Sequence, residues 1–219
     1  MNKNNSDYSD NKFQLDRIAL FSDAVFAIAI TLLVIEIKFP HIEYEKGKFV
    51  ESFWHGMDEI LPEIIGFFIS SIVIGSYWKA HHTIFGFVTD YNRKLININT
   101  WFLFTIVCMP FTTGIMSKYL HFHPYLIYCI NVITTGLLQI RMWHYISNPK
   151  NNLCGVIPNG LKKLKYVSPS VVIGCFLLSI LLYKLIGNYY ALMFLISIFF
   201  IEIVIKKVII KKYNLGNKY

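Results

Sequence analysis

Six runs of mostly apolar residues, at about 17–38, 60–78, 96–115, 125–145, 166–186 and 189–205, alternate with short polar and basic stretches. Each run has close to the length a helix needs to cross the roughly 30 Å hydrocarbon layer of a bilayer. The pattern predicts an all-α membrane protein with six transmembrane helices in a single domain, residues 1–219. The connecting stretches are too short to hold a soluble catalytic domain. The polar motif of the first run has no second copy, and the last three runs do not duplicate the first three, so the chain reads as a single repeat.

The first run, Arg17–Lys38, carries polar residues that a purely lipid-facing helix would avoid: Arg17, Ser22, Asp23, Thr31 and Glu36. On a helical wheel, Phe21, Val25, Ile28, Leu32 and Ile35 form one seam of large apolar side chains, and neither Ser22 nor Asp23 points along it. Ala24, Ala27 and Thr31 make a strip of small residues beside the seam, suited to close approach by another helix. We expect this helix to be packed on most sides, with the aliphatic seam left to meet copies of itself. By periodicity alone, Ile28, Leu32 and Ile35 read as core or lipid-facing residues rather than as a pore lining.

The second run closes on Trp78, His81 and His82 and starts near Pro62, where a missing amide does least harm. Such residues are common interface anchors. They also lie at the depth of Arg17 and Asp23, so a network of Arg17, Asp23, Trp78 and His81 would keep the buried carboxylate paired. Arg17 and Asp23 are about 120° apart on the wheel, which favours a bridge through the second span or a neighbouring copy. Asn97 and Asn99 are placed to join the cluster. Asn131, Thr134, Thr135 and Gln139 form a polar face in span four that suits interhelical packing. Pro110 should bend span three or end it early.

Adjacent His81 and His82 diverge by about 100°, a poor grip for one metal. His121 and His123, read as outer-loop residues, offer two ligands, too few for a site. We therefore expect no metal and no cofactor. Cys108, Cys129, Cys154 and Cys175 are widely spaced and give no zinc or disulfide pattern.

With 55% hydrophobic and only 16% charged residues, the composition excludes an ordinary soluble domain. The net charge of +8 would suit a nucleic-acid binder, but the basic residues sit between apolar spans, so no nucleic-acid partner is expected. Fifteen of them fall before span one, in the 2–3 and 4–5 loops and in the tail; Lys38, Lys46, Lys48, Lys118 and Lys184 fall on the other side. That asymmetry predicts a multi-pass cell-membrane protein with both termini cytoplasmic. The first span is expected to be retained rather than cleaved, no lipidation motif is present, and the tail reads as a frayed helix end.

Arg17, Phe21, Ser22 and Asp23, followed by AVFAIAITLLVIEI, resemble the first helix of the lysosomal potassium channel family (transmembrane protein 175 family), in its bacterial branch. Trp78, His81 and His82 resemble residues of that family's second helix that tie the first helix in place. The resemblance implies a homotetramer in which the first helices line a central pore passing potassium ions passively across the bilayer. It also implies a hydrophobic constriction at Ile28, with Thr31, Leu32 and Ile35 as the next layers. Such a ring gates by dewetting, and without a TVGYG-like loop any selectivity must come from the helix itself. Glu36 lies off the seam, where it can enrich cations or meet Lys46 or Lys48. Two other classes remain open, a proton-coupled transporter using Asp23 and His81 as a relay and an intramembrane enzyme using His82 and Asp23, and the channel itself can also leak protons.

Overall fold

The computed structural model describes residues 3–40, 42 and 47–213. It is an array of helices: α1 (Lys3–Ile35), α2 (Phe49–Phe85), α3 (Arg93–Val107), α4 (Met109–Lys118), α5 (Phe122–Ile146), α6 (Asn159–Ile186) and α7 (Asn188–Lys212). A short 3-10 turn, Pro149–Asn151, precedes α6. Five segments are long and apolar enough to cross a membrane, with α3 and α4 counting together as one span, and α7 carries the sixth predicted run. The core is shared by α1, α2, α3, α5 and α6. It is centred on the buried side chains of Phe26, Ile74, Tyr77, Phe102, Ile106, Tyr128, Trp143 and Phe176.

The helices overrun the apolar runs, because hydropathy marks what lipid covers while hydrogen bonding carries the helix into the interface. The largest overrun is α2, which begins at Phe49 and so passes through Pro62 instead of starting near it. Its N-terminal extension packs under the chain leaving α1. A Cβ on Gly56 would lie 2.9 Å from Pro40 Cβ, so the crossing needs a glycine. The described part of the tail is not frayed: α7 continues helical to Lys212, and Tyr213 packs over Gly160 at the start of α6. Asn214–Tyr219, including Lys218, lie outside the described residues.

Pro110 ends a helix early, as predicted. α3 stops at Val107 and α4 begins at Met109, because a proline nitrogen cannot donate to the preceding turn. The Asn131 side-chain amide donates to the Thr105 carbonyl (3.2 Å) at this break. Gln139 donates from its amide to the Tyr77 carbonyl (3.0 Å), while Thr134 and Thr135 bond back to their own helix. The polar face of α5 is thus partly interhelical packing and partly self-satisfied. All four cysteines are free. His121 caps α5 and His123 lies in its first turn, not in a loop, and both are exposed.

One end of the bundle gathers the basic segments. The α2–α3 and α5–α6 connections pair as an antiparallel bridge between Val88 and Cys154, with the Thr89 amide donating to the Leu153 carbonyl (2.9 Å). Leu15 and Asp16 of α1 line a cleft with Gly86, Val88, Thr89 and Asp90. Lys163, near the start of α6, donates to the Tyr213 hydroxyl (2.9 Å). The start of the first span, both basic loops and the end of α7 therefore share one end, as the charge asymmetry requires of segments on one side of a bilayer.

Candidate functional site

The first span is held by one narrow stripe. Ser22, Phe26, Ala29 and Leu33 recur at steps of four and three, so they line one face, and all four are buried. Phe21, Ile28, Thr31, Leu32 and Ile35 are exposed in the protomer, as are Ala24 and Ala27, while Val25 is half-buried. This corrects the expectation of a helix packed on most sides. Within its own chain α1 is packed on one side, and the seam and the small-residue strip together form one broad open face.

Near the basic end the buried stripe is fastened by polar groups in two separate sets. In the first, the His81 Nε2–H donates to Asn99 Oδ1 (2.8 Å), and Asn99 Nδ2 donates to Ser22 Oγ (3.0 Å). Ser22 then donates to the Ile18 carbonyl (2.9 Å). The amide oxygen of Asn99 can only accept, which fixes the proton on His81 Nε2. The His81 ring stacks on Phe85 and Phe102 and is tilted against Phe26, so it is buried in an aromatic box. In the second set, Trp78 Nε1 donates to Asp23 Oδ1 (2.9 Å) at the half-exposed edge of the same helix pair.

The single predicted network is thus two, and Arg17 is in neither. Arg17 is exposed, 3.4 Å from Gln14 Oε1 and over the Phe13 ring, because its step along α1 turns it away from α2. No hydrogen bond joins Asp23 to His81 among the described residues. His82 is exposed beside Trp78, consistent with the divergence of the two histidines. Asp23 and His82 both line the cleft with Asp16 and Asp90, about 720 Å³ in volume, but no cluster of metal-ligating side chains occurs among the described residues. Asn97 is exposed and stands apart from the network.

At the opposite end of α1, Glu36 packs over α4: a Cβ on Gly114 would lie 2.5 Å from Glu36 Oε2. The pairing of Glu36 with Lys46 falls outside the described residues. Thr31 Oγ1 donates to the Ile28 carbonyl (2.8 Å), which satisfies its proton within the helix and leaves its oxygen on the open face.

Two features escaped the sequence reading. Phe26 completes the box around His81, and its spacing of four from Ser22 was the available signal. Glu202 in α7 accepts from Ser76 of α2 (3.1 Å), from Ser168 of α6 and from Lys206, fastening three helices. Its signal was a Glu and Lys four apart within an apolar run.

Residues 17–110 match the family model described as "Endosomal/lysosomal potassium channel TMEM175". A protein of Streptomyces collinus named as a potassium channel is 36% identical over 104 residues, 48% of this chain and 48% of its own length. A zebrafish (Danio rerio) protein named "Endosomal/lysosomal proton channel TMEM175" is 29% identical over 136 residues, 58% of this chain and 26% of its own length. The chain spans about half the length of the bacterial relatives it matches. The fold matches the crystal structure of a lysosomal potassium-selective channel TMEM175 homologue from Chamaesiphon minutus, with a TM-score of 0.63 and 26% identity over 84% of this chain and 98% of that one. The family-model match begins at Arg17 and spans Ser22, Asp23, Trp78, His81 and Asn99, the last five being the residues that fasten α1. Over residues 17–110, and in its fold, the chain is similar to the endosomal/lysosomal potassium channel TMEM175 family and to bacterial proteins named as potassium channels.

Proposed function

We propose that four copies of this chain assemble around their first helices into a potassium-permeable channel, with Ile28, Thr31, Leu32 and Ile35 facing the pore. The observation that carries this reading is the mismatch between α1 and its packing. The most apolar of the five candidate spans is also the least buried, at 22% of its window against 33–56% for the others. A helix fastened by polar groups along one stripe, with aliphatic and small side chains open opposite, is built to be covered by something other than its own chain.

In this arrangement Ile28 forms an aliphatic ring that excludes water and ions until the helices separate. The Thr31 oxygens lie one turn further on. The His81–Asn99–Ser22 and Trp78–Asp23 sets hold α1 against α2 and α3, so the rings keep their register. The basic end faces the cytoplasm, where the excess of lysine and arginine belongs. Potassium passes down its gradient, with no cofactor and no chemical step.

The test is ion flux from liposomes. Ile28→Asn should raise potassium flux and weaken the discrimination of potassium from sodium, because a hydrated polar ring no longer excludes water. Unchanged flux and unchanged ion preference in that variant remove Ile28 from the pore.

The vertebrate relative's name favours proton permeation as the second reading. It predicts acidification of vesicles under a proton gradient without potassium. A direct relay from Asp23 to His81 is disfavoured, since each is engaged by a different partner.

A further inference from the structure

At the basic end of the bundle, α3 and α5 leave an open groove of about 610 Å³ on the outer surface of the protomer. Lys94, in the first turn of α3, and Arg141, near the end of α5, stand at its head with Asn97 between their levels. Trp101, Phe104 and Leu138 continue it toward the middle of the span, and Trp101 and Phe104 are 64% and 57% exposed.

Arg141 is the unusual member. It is a guanidinium inside the fourth apolar run, exposed, with no acidic side chain lining the groove around it. No salt bridge engages it among the described residues. A cation within a span ordinarily turns into the bundle or pairs, because leaving it in hydrocarbon is costly. On the outer surface it can instead run its stem along apolar residues and lift its planar fork to the phosphate level.

A lone arginine would need only water there. Here a second cation stands beside it on the neighbouring helix, together with a hydrogen-bonding amide and, below them, an apolar channel walled by an exposed tryptophan. Clustered cations between helices at the cytoplasmic face complement anionic headgroups. We propose that this groove seats an anionic phospholipid, its headgroup phosphate on Arg141 and Lys94 and one acyl chain along Trp101, Phe104 and Leu138. The inference does not depend on the channel reading.

The full chain in detergent micelles, titrated with phosphatidylglycerol or phosphatidylcholine of matched chains and followed by native mass spectrometry, tests it. The wild type should bind phosphatidylglycerol more tightly. Arg141→Gln and Lys94→Gln should each weaken that lipid about fivefold, the share expected of one basic residue near an anionic surface. Arg141→Lys should keep most of the preference, which separates loss of charge from loss of fold. Lys184→Gln, at the opposite end, should change nothing. Equal binding of the two lipids, or an undiminished preference in the double variant Lys94→Gln/Arg141→Gln, overturns the proposal. So does inorganic phosphate matching the lipid in protecting the protein from heat, since the apolar channel would then be idle. Crosslinking of Trp101→Cys between copies, with no lipid preference, would assign the groove to a second copy and also overturn it.

Discussion

Asn99 does more at α1 than any residue that is ionised there. Among the described residues its amide alone bridges His81 and Ser22, with both ends used and all three side chains buried. Asp23 has one bond, at a half-exposed edge, to a tryptophan that is itself 37% exposed. Interhelical hydrogen bonds in membrane proteins average only about 0.6 kcal/mol, since the reference state also finds partners. Losing two at once and stranding buried groups should cost more than that average. Asn99→Leu is expected to lower stability by about 2 kcal/mol and Trp78→Phe by about 0.5 kcal/mol, read from thermal or denaturant unfolding in micelles. Equal losses would mean that the two polar sets are one after all.

Between elements, close approach is bought at a few glycines, and they differ in what they face. A Cβ on Gly136 of α5 would sit 2.7 Å from Ile173 Cγ1 and 2.9 Å from the Tyr77 hydroxyl, and that hydroxyl is tied to the Val132 carbonyl at 2.8 Å. A Cβ on Gly114 of α4 would meet the end of the Glu36 side chain, which is exposed and can swing away. Gly136→Ala should therefore cost about 1–3 kcal/mol through overpacking, and Gly114→Ala well under 1 kcal/mol. The same unfolding measurements rank them, and a reversed order would contradict the packing of α5 against α2 and α6. Pro110 acts at this scale as well. Its legible effect, the end of α3, comes with a partner that only the fold supplies, the Asn131 amide at the break.

For the whole molecule, the exposed face of α1 is where the proposed assembly is tested. If copies surround a common axis, a cysteine at residue 28 faces its symmetry mates, and Ile28→Cys in a background without the four native cysteines should crosslink efficiently between copies. The same change at Leu181, exposed on α6, which is not among the helices that pack closely on α1, should not. Crosslinking at 181 and none at 28 would turn the subunit around and place Ile28 in lipid. The all-helical character, the gathering of the basic segments at one end, and an aliphatic seam open at Phe21, Ile28, Leu32 and Ile35 though half-buried at Val25, were legible from periodicity and charge. The polar anchor was legible only as residue types. Arg17 was expected within it and lies outside, because helical rotation fixes directions within one helix while contact depends on where the second helix lies. Glu202 went unread for the same reason, since Ser76 and Ser168 lie far from it in sequence.

The sequence by itself determined which segments enter the bilayer, which end carries the positive charge and which side chains of α1 share a face. These follow from hydropathy and from the fixed rotation per residue, which need no neighbour. Tertiary structure decided which of those faces is buried, that the carboxylate and the imidazole are held by different partners, and that α1 keeps its aliphatic side free. Those depend on the placement of α2 and α3, set by packing between residues distant in the chain, which no local pattern encodes.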